Sequence, residues 1–198
     1  MRSLIFDTET TGLWDFKKPY DHPAQPEMVQ VAAKLICDST FRVLGQINYI
    51  VQPDKPCEEK AASIHGITSE LIQEAGVPRR VALGSFHNLL KLSTRVVAHN
   101  FNFDSKILMR TYLLESTGYD LFTSKPSFCT MLETTPLLKL PGRYGKYKWP
   151  SLMEAYTSLV DPAGFDGAHD AMVDVNACAA VYRALQEMKN GDSTRVSA

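Results

Sequence analysis

Apolar positions along this chain follow two periods, and the change from one to the other organises it. Ser3 to Phe6 is a short apolar run of the kind that forms a buried strand, and Met28 to Cys37 is a second, longer one. After the turn residues Asp38, Ser39 and Thr40, the segment Phe41 to Gln52 alternates. Val43, Ile47, Tyr49 and Val51 point one way, and Arg42, Gln46, Asn48 and Gln52 the other. A strand with one wet face belongs near a sheet edge. From Ala61 the period becomes helical. Thr68 to Ala75 predicts a short helix stopped by Gly76 and Pro78, and Arg79 to Leu92 a longer one with Phe86, Leu89 and Leu90 on its apolar face. Arg95 to Ala98 predicts a strand, Asp104 to Thr117 a helix capped by Gly118, and Pro126 to Cys129 a last short strand. A helix ended by Pro136 or Pro141 follows, then one that begins at Ser151. The last, Gly167 to Met188, carries the core stripe Val175, Cys178, Tyr182 and Leu185.

Three strands followed by alternating helices and strands predict an α/β fold, with a mixed central sheet of about five strands and helices on both faces. Trp14 to Glu27 interrupts the pattern as a long polar loop with Pro19, Pro23 and Pro26. No linker or repeat divides the chain, so residues 1–189 read as one domain and 190–198 as a polar tail expected to be disordered.

Composition adds exclusions. With 44% hydrophobic and 22% charged residues in 198, the chain can bury a sizeable core. A formal net charge of −1 excludes a strongly basic clamp covering many phosphates. Cys37, Cys57, Cys129 and Cys178 are scattered, which argues against a disulfide framework or a zinc site, and Cys37 and Cys178 read as core residues. The first strand begins at once and leaves no room for a signal peptide. No apolar run approaches the roughly 20 residues of a membrane helix, so a reducing cytoplasm is the expected location.

Chemistry concentrates at the mouths of core elements. Asp7-Thr8-Glu9-Thr10-Thr11-Gly12 directly follows the first strand, and side chains two apart on a strand face the same way. Two bare carboxylates about 4 Å apart repel by roughly 4 kcal/mol at an effective dielectric near 20, so a divalent metal is the simplest compensation. A second apolar strand ends in His99-Asn100-Phe101-Asn102-Phe103-Asp104, which puts Asp104 where a helix begins. The third cluster, His169-Asp170-Ala171-Met172-Val173-Asp174, opens the last helix. Asp170 and Asp174 share one helix face, and the spacing does not choose between them. Gly142-Arg143-Tyr144-Gly145-Lys146-Tyr147-Lys148-Trp149 interleaves aromatic and basic residues. It reads equally as a single-strand-binding loop or as a solvated loop with Trp149 tucked into the core.

In this order the three motifs resemble those of the DEDDh, or DnaQ-like, 3′–5′ exonucleases of the RNase H-like fold, which include polymerase proofreading subunits and RNase T. Ile64-His65-Gly66-Ile67-Thr68 is a lesser match, and the resemblance spans about residues 3–187. It implies a metal-dependent enzyme that hydrolyses phosphodiester bonds at single-stranded nucleic-acid 3′ ends, DNA modestly favoured, and releases nucleoside 5′-monophosphates. It implies two Mg²⁺ or Mn²⁺ ions, with Asp7 bridging both, Glu9 and Asp174 on the nucleophile side, and Asp104 on the other ion partly through water. Hard oxygen ligands with no cysteine suit those metals better than zinc. The resemblance also chooses Asp174 over Asp170 and makes His169 the general base, as suits an imidazole near neutral pH. By motif position Thr10, Leu13, Ile64, His65, Asn100 and Phe103 would hold the terminal nucleotide. His65 also reads as a plain turn histidine, and His99 as a packing residue. The loop from Trp14 looks longer than in many members and carries no role over. A polymerase or repair complex is a candidate partner. Two alternatives stand beside this reading: an RNase T-like enzyme trimming RNA 3′ ends, and a nuclease-like docking module, which would be expected to have lost one or more of the acids.

Overall fold

The computed structural model describes the backbone of residues 1–195 and the side chains of residues 1–190. Six strands form one sheet: β1 (Arg2–Thr10), β2 (Met28–Cys37), β3 (Val43–Gln52), β4 (Val77–Pro78), β5 (Arg95–Ala98) and β6 (Ser127–Cys129), in the order β4-β3-β2-β1-β5-β6. β1 runs antiparallel to β2, and β2 to β3, whereas β5 lies parallel to β1, and β6 to β5. Beyond β3 there is only the two-residue β4, so the strand with a wet face does lie next to the edge.

Strand alternation gives the sheet two cores. On one face Leu4, Phe6, Val31, Leu35 and Val96 pack against α3 (Arg79–Leu92) and α4 (Phe101–Leu114). On the other, Ile5, Ala32, Ile36 and Val97 pack against α7 (Leu152–Leu159) and α8 (Ala171–Arg195), and the stripe Val175, Cys178, Tyr182 and Leu185 is buried there. The remaining α-helices among the described residues are the short α1 (Glu59–His65), α2 (Ser69–Ala75) and α5 (Asp120–Thr123), and α6 (Thr130–Leu138) after β6. Among the described residues no helix is long and apolar enough to cross a membrane.

Several boundaries differ from the sequence reading for local reasons. α4 ends at Leu114, before Gly118, because Ser116 takes the left-handed turn at φ 51°. α6 runs through Pro136 and closes at Lys139, also left-handed at φ 50°, so neither proline ends it. α8 starts at Ala171 rather than Gly167 and continues to Arg195, since extending an existing helix is far easier than starting one. That replaces the expected tail over residues 190–195, and 196–198 lie outside the described residues. Cys37 is half-buried, not a core residue, because β2 ends there. Its thiol lies 3.3 Å from Ser39 Oγ, and hydrogen bonds from Ser39 and Thr40 lower its pKa to about 6.

Candidate active site

Phe6 is the anchor from which the site is built. Its ring meets Phe86, Phe101 and Phe122 edge-on at 5.6, 5.9 and 5.7 Å, which fixes the strand just before Asp7. Asp7 and Glu9 then fall on the opposite face with Ser3 and Ile5. That face belongs to α8, as the 3.0 Å contact between Ser3 Oγ and Tyr182 Oη shows. The parallel pairing of β1 with β5 reaches Ile5 and Val97, and β5 ends at Ala98. Past that point the flank of β1 opens at the carboxyl end of its parallel neighbour, the usual place for a ligand in α/β sheets.

Two elements fill the opening. From β5 the chain turns through Asn100, left-handed at φ 59°, into α4, and Asp104 in its first turn reaches back to β1. Asp104 Oδ1 accepts from Thr8 N–H at 3.1 Å and from the Thr8 hydroxyl at 2.8 Å. At the other side Asp170 caps α8, accepting from the N–H groups of Met172 (2.9 Å) and Val173 (3.0 Å). Gln30 of β2 locks this cap: its amide donates to Asp170 at 3.2 Å, and its carbonyl accepts from Ala171 N–H at 3.1 Å. His169, left-handed at φ 71°, donates its backbone N–H to Asp174 Oδ2 at 3.1 Å. One ligand atom each from Glu9, His169 and Asp174 then lie within 4.8 Å of one another.

The electrostatics of the cluster favour a cation. Burial raises the pKa of Asp7 well above the carboxylate range, with Asp104 and then Asp174 adding repulsion. Burial, helped by Asp174 and Asp104, raises Glu9 to about 8. Asp104 rises to about 7 through burial, although both Thr8 hydrogen bonds work against the shift. Asp174 is raised by burial too, against the pull of the His169 N–H. Asp174 Oδ1 is buried without a hydrogen-bond partner, a state that costs about 1–3 kcal/mol unless something pairs with it. Four carboxylates with an orphaned inward oxygen fit a hard divalent cation.

Beside the acids lies a cleft of about 250 Å³ lined by Glu9, Thr10, Leu13, Ile64, His65 and Phe103, with His169 at its rim. Leu13 is 80% exposed, a large apolar side chain held out over the cleft. Thr10 is buried, and its hydroxyl donates to the Gly12 carbonyl at 2.7 Å. Both nitrogens of His65 are used locally. Ile67 N–H donates to Nδ1 at 3.1 Å, so Nε2 carries the proton and donates to the Thr10 carbonyl at 3.2 Å. Burial lowers its pKa and keeps it neutral. Asn100 is not among the cleft's lining residues, and its exposed position is explained by the left-handed turn into α4. His99 is structural: Nε2–H donates to the Pro150 carbonyl at 3.0 Å, and Nδ1 faces the Thr130 hydroxyl at 2.9 Å. Sequence reasoning missed Thr8 and Gln30, which hold Asp104 and Asp170, and Glu58 and Lys60 at the cleft wall. Thr8 lies inside the first motif and could have been singled out as a short donor between two acids. Gln30 was a polar residue in a strand read only as core.

Comparison with known proteins converges on the same chemistry. Residues 4–182 match the exonuclease family model named for RNase T. The chain is 30% identical over 186 residues to the uncharacterized exonuclease CP81 of Escherichia phage 186, spanning 92% of this chain and 87% of that protein. Exonuclease I of E. coli, solved with a dT13 oligonucleotide, superposes with a TM-score of 0.75 at 21% identity. The match covers 93% of this chain but only 41% of that enzyme. The nuclease domain of 3′hExo, a DEDDh family member bound to rAMP, superposes at 0.70 with 18% identity, over 96% of this chain and 92% of that one. The family match spans nearly the whole sheet and all three acidic motifs, and the chain therefore belongs to the exonuclease family, as a DEDDh member with the RNase H-like fold.

Proposed function

We propose that this protein is a metal-dependent 3′–5′ exonuclease that removes nucleoside 5′-monophosphates from single-stranded ends. The observation that carries the reading is the orphaned Asp174 oxygen, set among four carboxylates whose proton affinities are all raised, beside an apolar-walled cleft. Asp7, Glu9, Asp104 and Asp174 would hold Mg²⁺ or Mn²⁺. Such ions, when bound, stabilise the attacking and leaving oxygens of a phosphodiester.

The chain's own groups supply the rest. Leu13, Ile64 and Phe103 wall the cleft where the terminal base would sit. His65, with both nitrogens engaged by backbone, shapes that cleft rather than binding phosphate. His169 is exposed at the rim with a ring nitrogen near Glu9 and Asp174 oxygens. It takes the proton from the attacking water, because an imidazole can accept and release one near neutral pH. All four acids and His169 are present, which disfavours a docking module without activity. Preference for DNA over RNA rests on the likeness of residues 7–12 to DNA-trimming members, and RNA trimming is its direct competitor.

The test uses 5′-labelled single-stranded DNA, duplex DNA, RNA and a circular single strand, each with Mg²⁺, Mn²⁺ or chelator. A ladder that shortens from the 3′ end, needs metal and spares the circle is expected. Cleavage of the circle, or activity in chelator, overturns the proposal.

A further inference from the structure

We propose that the loop at residues 142–149 is a second nucleic-acid site, which binds the strand upstream of the scissile bond. Bases stack on Tyr144 and Trp149, and phosphates meet Arg143 and Lys146. This deepens the exonuclease reading and rests on it.

The loop is dense in cations and aromatic rings. From Lys139 to Met153, Lys139 included, there are four basic residues and no acid, in a protein of net charge −1. Every residue from 141 to 149 is exposed. Tyr144 is 98% exposed, and Trp149 is 64% exposed where Trp14 is 7%. That overturns the reading of Trp149 as a core residue. Lys148 pairs with Glu154 at 2.5 Å, whereas Arg143 and Lys146 make no ion pair among the described residues. Exposed aromatic rings interleaved with unpaired cations suit a flexible polyanion with flat bases.

The loop also has a defined shape. Pro141 and Tyr147 form a bridge, Lys148 N–H donates to the Leu140 carbonyl at 3.0 Å, and Lys146 N–H to the Arg143 carbonyl at 3.2 Å. A Cβ on Gly142 would lie 2.4 Å from the Lys146 carbonyl oxygen, so only glycine closes the loop this tightly. Tyr144, at φ 56°, is presented at the tip.

Its place in the fold is the catalytic edge. The register pairs Ile5 with Val97 and Ala98 with Cys129, which sets His99 at the level of Asp7 and Thr130. His99 holds the Pro150 carbonyl, the exit of the loop, at 3.0 Å. Directly after it, a capping box of Ser151 and Glu154 starts α7, which packs against α8 on the Asp174 side. A strand whose 3′ end lies in the cleft therefore has this loop at the same edge of the sheet.

The experiment compares wild type with a Tyr144→Ala/Trp149→Ala double variant on a dinucleotide and a 12-nucleotide single strand. The double variant is expected to raise KM for the longer strand about tenfold or more, as losing a stacked base implies, and to leave dinucleotide turnover unchanged. The Tyr144→Phe/Trp149→Phe variant keeps both rings and should restore the wild-type KM. In a Trp14→Phe background the 12-mer should quench Trp149 fluorescence and the dinucleotide should not. Arg143→Gln/Lys146→Gln should flatten the salt dependence of binding by about 1.4 in log–log slope, two phosphates' worth. An unchanged KM in the alanine variant, or Trp149 fluorescence unmoved by a 12-mer that is being degraded, overturns the site. A wild type that cleaves neither substrate overturns the exonuclease reading instead, and the quenching titration then decides this site alone.

Discussion

At the scale of single residues, His169 combines a strained backbone with the proposed role of general base. Its left-handed backbone costs an ordinary side chain about 1–2 kcal/mol, and the bond from its N–H to Asp174 helps hold it there. Asparagine tolerates that conformation, so His169→Asn removes the imidazole while preserving the turn. Turnover should fall about 10²–10⁴-fold with Mn²⁺ affinity little changed, as read by single-turnover kinetics and calorimetric titration. Near-normal turnover would remove His169 as the base, and a large loss of affinity would make it a ligand. Its neighbour behaves differently. Asp170→Ala loses the α8 cap and should cost about 1 kcal/mol of stability yet keep metal binding, whereas Asp174→Ala should lose it. The reverse pattern would reassign the last motif.

At the scale of elements, the end of β1 depends on a helix far from it in sequence. Arg79 opens α3, where a cation is unfavourable to the helix dipole, but it meets Glu27 at 3.0 Å, Asp54 at 2.6 Å and Glu115 at 3.0 Å. Glu27 ends the 14–27 loop. Its N–H donates to Thr11 Oγ1 at 2.9 Å, and its carbonyl accepts from Thr11 N–H at 2.8 Å. The loop itself folds around buried Gln25 and the tilted pair of Trp14 and Tyr20 at 5.2 Å. Arg79→Met would leave buried Glu27 with the Asp54 N–H at 2.7 Å and Arg110 at 3.9 Å, and should cost up to about 3–5 kcal/mol. The urea midpoint should drop with an unchanged slope. A loss no larger than that of an exposed pair would mean that the network is fully solvated in practice.

At the scale of the molecule, the acid cluster ties stability to pH and to metal. Glu9 rises from 4.5 to about 8 on folding and Asp104 from 3.8 to about 7, so the folded state binds more protons than the unfolded one. Such groups stabilise the fold at low pH and lose that contribution as pH rises through their folded values. In chelator, melting temperature should therefore fall between about pH 5 and pH 8 on account of this cluster. A divalent cation replaces the protons, and at 100 times its Kd it would add about 2.7 kcal/mol. The gap in melting temperature between Mg²⁺ and chelator should widen as pH rises. A gap that is constant or narrows would show that the carboxylates do not bind the ion as a cluster.

Backbone geometry acts within a few residues, so what depends on it was legible in the chain. Period two alone put Asp7 and Glu9 on one face, and period 3.6 put Val175, Cys178, Tyr182 and Leu185 on another. The order of the longer strands and helices followed from the same patterns, whereas the two-residue β4 and the single-turn α5 carry no period to read. What needed tertiary structure spans long separations. Asp104 is held by Thr8 across 96 positions, and Gln30 fixes the Asp170 cap across 140. Spacing left Asp170 and Asp174 equivalent; only the fold set Asp170 on the first N–H groups of α8 and left Asp174, bonded to the His169 N–H, with one buried oxygen unpaired. The same holds for Trp149. Its neighbours in sequence allow either burial or exposure, and the outcome depends on how His99 of a distant strand anchors the chain at Pro150.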